Sequence, residues 1–139
     1  LNMYKKDKNN DKISICLIKY FLLTGNIEKA DEISQNIVDS DAKFLIEAID
    51  YWKLHEKLDT INFKKQKPET YEDKLLYSLF LIKEQKDFKS ALEQLSELVS
   101  LNKNYNNQIA RKAMVSIFTI LESGPLVESF RNKLYNLIF

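Results

Sequence analysis

Apolar residues along this chain recur at three- and four-residue steps rather than alternately, and each run stops at a small cluster of turn-forming residues. A helix is predicted from about Asp11, a capping residue, to Thr24, where Gly25-Asn26 breaks it. A second helix is predicted from Ile27 to Val38, with Ile27, Ala30, Ile33 and Ile37 on one face. Asp39-Ser40-Asp41 is cap chemistry, and a third helix carries Phe44, Leu45, Ala48, Ile49, Trp52 and Leu58. From Asp59 to Glu69 the period fails, and Pro68 forbids a continuous helix. A fourth helix spans about Thr70 to Glu84 and a fifth follows Asp87 with Phe88, Ala91, Leu92, Leu95, Leu98 and Val99. After the polar stretch Asn102 to Asn107 the sixth holds Ile109, Ala113, Met114, Ile117, Ile120 and Leu121. Ser123-Gly124-Pro125 stops it and starts the seventh, with Pro in the first turn.

That last segment buries Leu126, Val127, Phe130, Leu134, Leu137 and Ile138 as one stripe, with polar residues behind. It needs a neighbour, and the sixth helix is the nearest in sequence. The first helix is different, because it has two apolar stripes. Ile13, Cys16, Leu17, Tyr20 and Phe21 form one; Ile15, Ile18 and Leu22 form the other. A helix apolar all round must be covered on both sides. Either it is central in the stack, or Ile15, Ile18 and Leu22 form a patch against an upstream domain or a twin chain.

Composition supports an all-helical reading. Two glycines and two prolines are few for 139 residues, and tight-turned sheets need more. The residues before Asp11 are polar, so residues 1–10 are read as a tail or linker and 11–139 as one helical domain. Charge nearly cancels, with 21 basic and 20 acidic residues, and the Lys64-Lys65-Gln66-Lys67 cluster reads as a solvated loop. Nucleic acid and membrane are therefore not expected as partners. No apolar stretch follows the early lysines, so the start is not a signal peptide and a cytoplasmic location is expected. Cys16 is alone in an apolar neighbourhood and is expected to be a buried structural thiol.

Sites of chemistry are not evident. His55 is the lone histidine, placed by its charged neighbours on a helix surface, so histidine-dependent catalysis has nothing to build on. No His or Cys spacing suits zinc, no alternating oxygen ligands suit calcium, and no Gly-rich loop cradles phosphate. No catalytic, cofactor-binding or metal residue is assigned, and the chain is not expected to be an enzyme.

Short links between helices give antiparallel hairpins, which stack into solenoids. "TGNIEKADEI" and "EQKDFKSALEQL" share a turn, an apolar residue and then an Ala, at Ala30 and Ala91, where helices cross closely. This resembles the tetratricopeptide repeat, with Lys86 standing where glycine is usual and the early Trp and late Pro missing. The fold expected is all-α: about seven antiparallel helices in a short tetratricopeptide-like right-handed superhelix.

The closing residues resemble the C-terminal helical domain of the YbbN/CnoX family of thioredoxin-like co-chaperones. Arg111, Lys112, Phe118, Gly124, Pro125, Leu126, Phe130, Arg131, Leu134, Leu137 and Phe139 stand at the family's places. The thioredoxin part is absent, and no Cys-x-x-Cys pair exists here. Leu1 is no initiator methionine, which leaves room for such a domain upstream. The resemblance implies a bacterial protein that holds unfolded clients and docks on a GroEL-type chaperonin through its last helix. Glu128, Arg131, Asn132, Lys133, Tyr135, Asn136 and Phe139 are then the partner-contacting residues. The alternatives are a generic scaffold module of another complex, or a non-catalytic subunit of an enzyme.

Overall fold

The structure, a computed structural model, describes residues 2–60 and 69–139, with side chains described for 11–58 and 69–139. The connection around Pro68 and the Lys64–Lys67 cluster lie outside the described residues. Among the described residues there is no strand; helices are joined by short turns and irregular links. The elements are α1 (Asn2–Thr24), α2 (Ile27–Ser34), α3 (Ser40–Glu47), α4 (Ile49–Trp52), a 3₁₀ helix (Lys53–Thr60), α5 (Tyr71–Gln85), α6 (Phe88–Asn102), α7 (Ile109–Leu121) and α8 (Pro125–Ile138). The all-α architecture agrees with the sequence reading, and three boundaries differ from it.

The backbone of residues 2–10 continues α1, so Asp11 lies inside a helix and does not start one. The second helix ends at Ser34 instead of Val38; the Ser34 hydroxyl donates to the Asp31 carbonyl at 2.6 Å, and Val38 stands 98% exposed. The third helix is two. It breaks at Ala48 (φ −94°, ψ 13°), and the chain after Trp52 tightens to 3₁₀. No Gly or Pro marks that break. It lets Tyr51 and Trp52 both reach the core: the Tyr51 hydroxyl pairs with Ser78 Oγ at 2.7 Å, and Trp52 Nε1 donates to Ser116 Oγ at 3.1 Å. Both rings are wholly buried, so these bonds satisfy groups that would be costly to leave unpaired.

Caps elsewhere follow the sequence. Thr70 accepts from the Asp73 amide at 3.0 Å, and Asp87 accepts from the Ser90 amide at 3.0 Å. Gly25 (φ 88°) closes α1 in the left-handed region that glycine enters without penalty. Lys86 does the same work at the end of α5 with φ 52°, where a side chain costs strain.

Packing sets the shape. α1 lies on α2, and α5 lies on α6, as two hairpins. Ala30 and Ala91 are wholly buried where those hairpins close, as their small side chains require. α7 joins α6 to α3 and α4, which are distant in sequence. That contact folds the stack back on itself, whereas a linear solenoid touches only neighbouring repeats. α8 lies mainly on α6 and less on α7, so its principal neighbour is not the helix nearest in sequence. Val127, Phe130 and Leu134 are buried there, with Leu137 and Ile138 half-buried.

Candidate protein-binding cleft

α8 has three sides, set by its apolar stripe and by what surrounds it. Val127, Phe130 and Leu134 face the core. Glu128, Asn132, Lys133 and Asn136 are exposed on the outer side. Arg131, Tyr135 and Phe139 turn toward a cleft shared with α3 and α7. All seven residues expected at a partner contact are exposed, and the structure divides them between two faces.

The cleft measures about 740 Å³. α7 supplies its floor through Val115 and Phe118, α8 one wall through Leu134 and Ile138, and Phe44 of α3 the other. Phe118 and Leu134 are buried; Phe44, Tyr135 and Phe139 are 40%, 63% and 84% exposed and form an aromatic rim. Tyr135 and Phe139 hold each other at 4.8 Å between ring centroids. A smaller hollow of about 210 Å³ extends the cleft past Phe44, Arg111 and Val115 toward Glu47 and Lys112.

Charge is placed at the cleft with some care. Arg131 lies over the Phe118 ring at 5.7 Å, a cation–π contact that holds the guanidinium in place. Arg111 Nη1 donates to Gln108 Oε1 at 3.0 Å. Gln108 ends a run of three left-handed residues, Asn106, Asn107 and Gln108, that turns the chain into α7. Glu122 is bound by Lys19 at 3.0 Å, tying α1 to the end of α7. Asp41, in the first turn of α3, supplies the remaining carboxylate.

Sequence reasoning reached only the α8 side of this cleft. Phe44 was expected in the core, because helical spacing cannot distinguish a core position from a groove rim. Of the two alternatives for Ile15, Ile18 and Leu22, the patch is overturned: they are 7%, 0% and 0% exposed and belong to the core. The open stripe on α1 is the other one, with Ile13 and Tyr20 each 59% and Leu17 41% exposed. Cys16 lies in that stripe and is exposed, so it is not a buried thiol.

His55 is also misplaced by the sequence reading. It is buried at 6% exposure, stacked on Trp52 and packed against Gly25. Neither ring nitrogen has a hydrogen-bond partner. Burial, with the Lys83 ammonium in second place, pushes its pKa down to about 4; the Leu22 carbonyl acts the other way but is too poorly placed to bond. Its 3₁₀ helix turned it inward, a placement that the charged flanking residues concealed. No group of His, Cys, Asp and Glu among the described residues is arranged to hold a metal.

Comparison with known families matches residues 61–139, more than half of the chain, to the tetratricopeptide repeat. The chain belongs to that family, whose members are typically protein-interaction scaffolds. No curated protein and no solved structure matches it. No helix among the described residues is long and apolar enough to cross a membrane.

Proposed function

We propose that this tetratricopeptide repeat protein binds segments of other proteins in the cleft between α3, α7 and α8. The observation that carries the reading is the cleft's composition: a buried apolar floor beneath an exposed aromatic rim, in a space of about 740 Å³. Water held against such a surface is released when an apolar segment enters, and the volume suits a few side chains of a peptide. Helices already fixed by core packing hold the walls, so little ordering opposes binding.

The finer reading is a bacterial co-chaperone that holds unfolded clients in the cleft and docks on a GroEL-type chaperonin. The resemblance of the closing residues supports it, as does the separation of faces on α8. Clients would meet Tyr135 and Phe139, while Glu128, Asn132, Lys133 and Asn136 remain available on the outer side. Deleting α8 would test neither point, since Phe130 and Leu134 would leave the core with it. Point substitutions separate them. The chain should suppress aggregation of a heat-denatured client, and Phe44→Asp should abolish that effect with melting temperature unchanged. Equal suppression by the variant contradicts the cleft. Lys133→Glu paired with Asn136→Asp should reduce co-sedimentation with purified chaperonin; undiminished recovery contradicts docking through this face.

A further inference from the structure

The chain has 21 basic residues, and only Arg111 and Arg131 are arginines. Both line the same cleft, on different helices. The basic residues of the described ion pairs, by contrast, are all lysines: Lys19, Lys57 and Lys74 each hold a glutamate. Lysine and arginine differ in what they recognise. The guanidinium presents a rigid fork of N–H donors that matches a carboxylate in two places, and it stacks on rings. Arg131 lies over the ring of buried Phe118 at 5.7 Å, and none of the ion pairs among the described residues uses its donors. Arg111 is steadied by the neutral Gln108 side chain. Neither guanidinium has a carboxylate partner among the described residues.

We infer that the cleft selects acidic peptides: segments in which an Asp or Glu carboxylate is received by Arg131 and Arg111 while a neighbouring large apolar side chain seats on Phe118 and Leu134. The inference rests on the reading of this cleft as the binding site and adds the chemistry of its occupant. Charge balance decides between anions. Lys19 pairs with Glu122, so Asp41 is the one carboxylate side chain of the cleft left to face two guanidiniums. In the adjoining hollow Lys112 and Glu47 oppose each other. Two guanidiniums against one such carboxylate suit a singly charged carboxylate ligand. A dianionic phosphate would set two negative charges beside Asp41, and a nucleic acid would need a broader basic surface. Because the guanidiniums are held before binding, the carboxylate adds direction as well as attraction.

The test is selection of a displayed library of random peptides on the intact protein. Enriched sequences should pair Asp or Glu with Phe, Tyr, Trp, Leu or Ile. A selected peptide, synthesised with a fluorescent label, should weaken on the order of tenfold or more when its acid becomes the amide. Arg131→Gln and Arg111→Gln should each erase most of that difference, and Arg131→Lys should restore only part of it; thermal melting confirms that each variant is folded. Peptides selected without acidic enrichment, or acidic peptides indifferent to both substitutions, overturn the inference and leave apolar binding in the cleft standing if Phe44→Asp removes it. Recovery of no peptide at all overturns both readings.

Discussion

A histidine with both ring nitrogens buried and unpartnered is neutral in the folded chain, and that has a pH consequence. Its folded pKa of about 4 lies below the ordinary 6.5, so the unfolded state binds the proton more readily. The stabilising effect of keeping His55 neutral is complete above pH 6.5 and is lost as pH falls from there toward 4. Urea denaturation across that window should show stability declining by on the order of 2 kcal/mol beyond the decline of His55→Leu, which keeps an apolar side chain and has nothing to titrate. Parallel profiles for the two proteins would contradict a buried neutral imidazole. Lys86 offers a second residue-level test. Its φ of 52° is the strain that glycine avoids, so Lys86→Gly should raise stability by about 0.5–1 kcal/mol. A loss instead would show that Lys86 is held by something other than backbone geometry. Lys86 was legible in advance, as the residue standing in glycine's place within a repeat-like turn. His55 was not, since burial of a polar side chain depends on distant neighbours such as Lys83 and on a local 3₁₀ twist.

At the scale of elements, helical spacing found the helices but not which of them meet. The apolar stripe of α8 was read correctly in direction; its seat on α6 was not, because nearness in sequence pointed to α7. Phe130 is 6% exposed in that seat, so Phe130→Ala should cost about 3–5 kcal/mol by urea denaturation. A cost under about 1 kcal/mol would place the stripe in water. Lys133→Ala, on the outer side, should cost no more than about 1 kcal/mol, the worth of its ammonium 5.7 Å from the Phe130 ring. The break at Ala48 shows where spacing fails: Ile49 and Trp52 continue the apolar pattern, so nothing local announces the turn. What enforces it is the pairing of Tyr51 with Ser78 and Trp52 with Ser116, across 27 and 64 positions of chain. Serine inside helices α5 and α7 gave no signal of its own.

Across the whole molecule, α3 and α4 close onto α7 and convert a row of hairpins into a folded-back stack. That closure makes the cleft, because α3 stands opposite α8 only when α7 lies between them. The exposed side of α8 was legible in its one-sided apolar stripe, whereas the opposite wall at Phe44 appears only once distant segments meet. Among the described residues the cleft and the α1 stripe of Ile13, Leu17 and Tyr20 both present clustered apolar side chains to solvent. They differ in depth, since the stripe is a convex helix face without a floor. Amide chemical-shift mapping with a permanently unfolded, carboxymethylated protein as titrant compares them in one experiment. Shifts concentrated at Phe44, Arg111, Val115, Phe118 and Tyr135 are the expected result. Shifts confined to Ile13, Leu17 and Tyr20, or none at saturating titrant, would contradict the assignment of the cleft as the binding site.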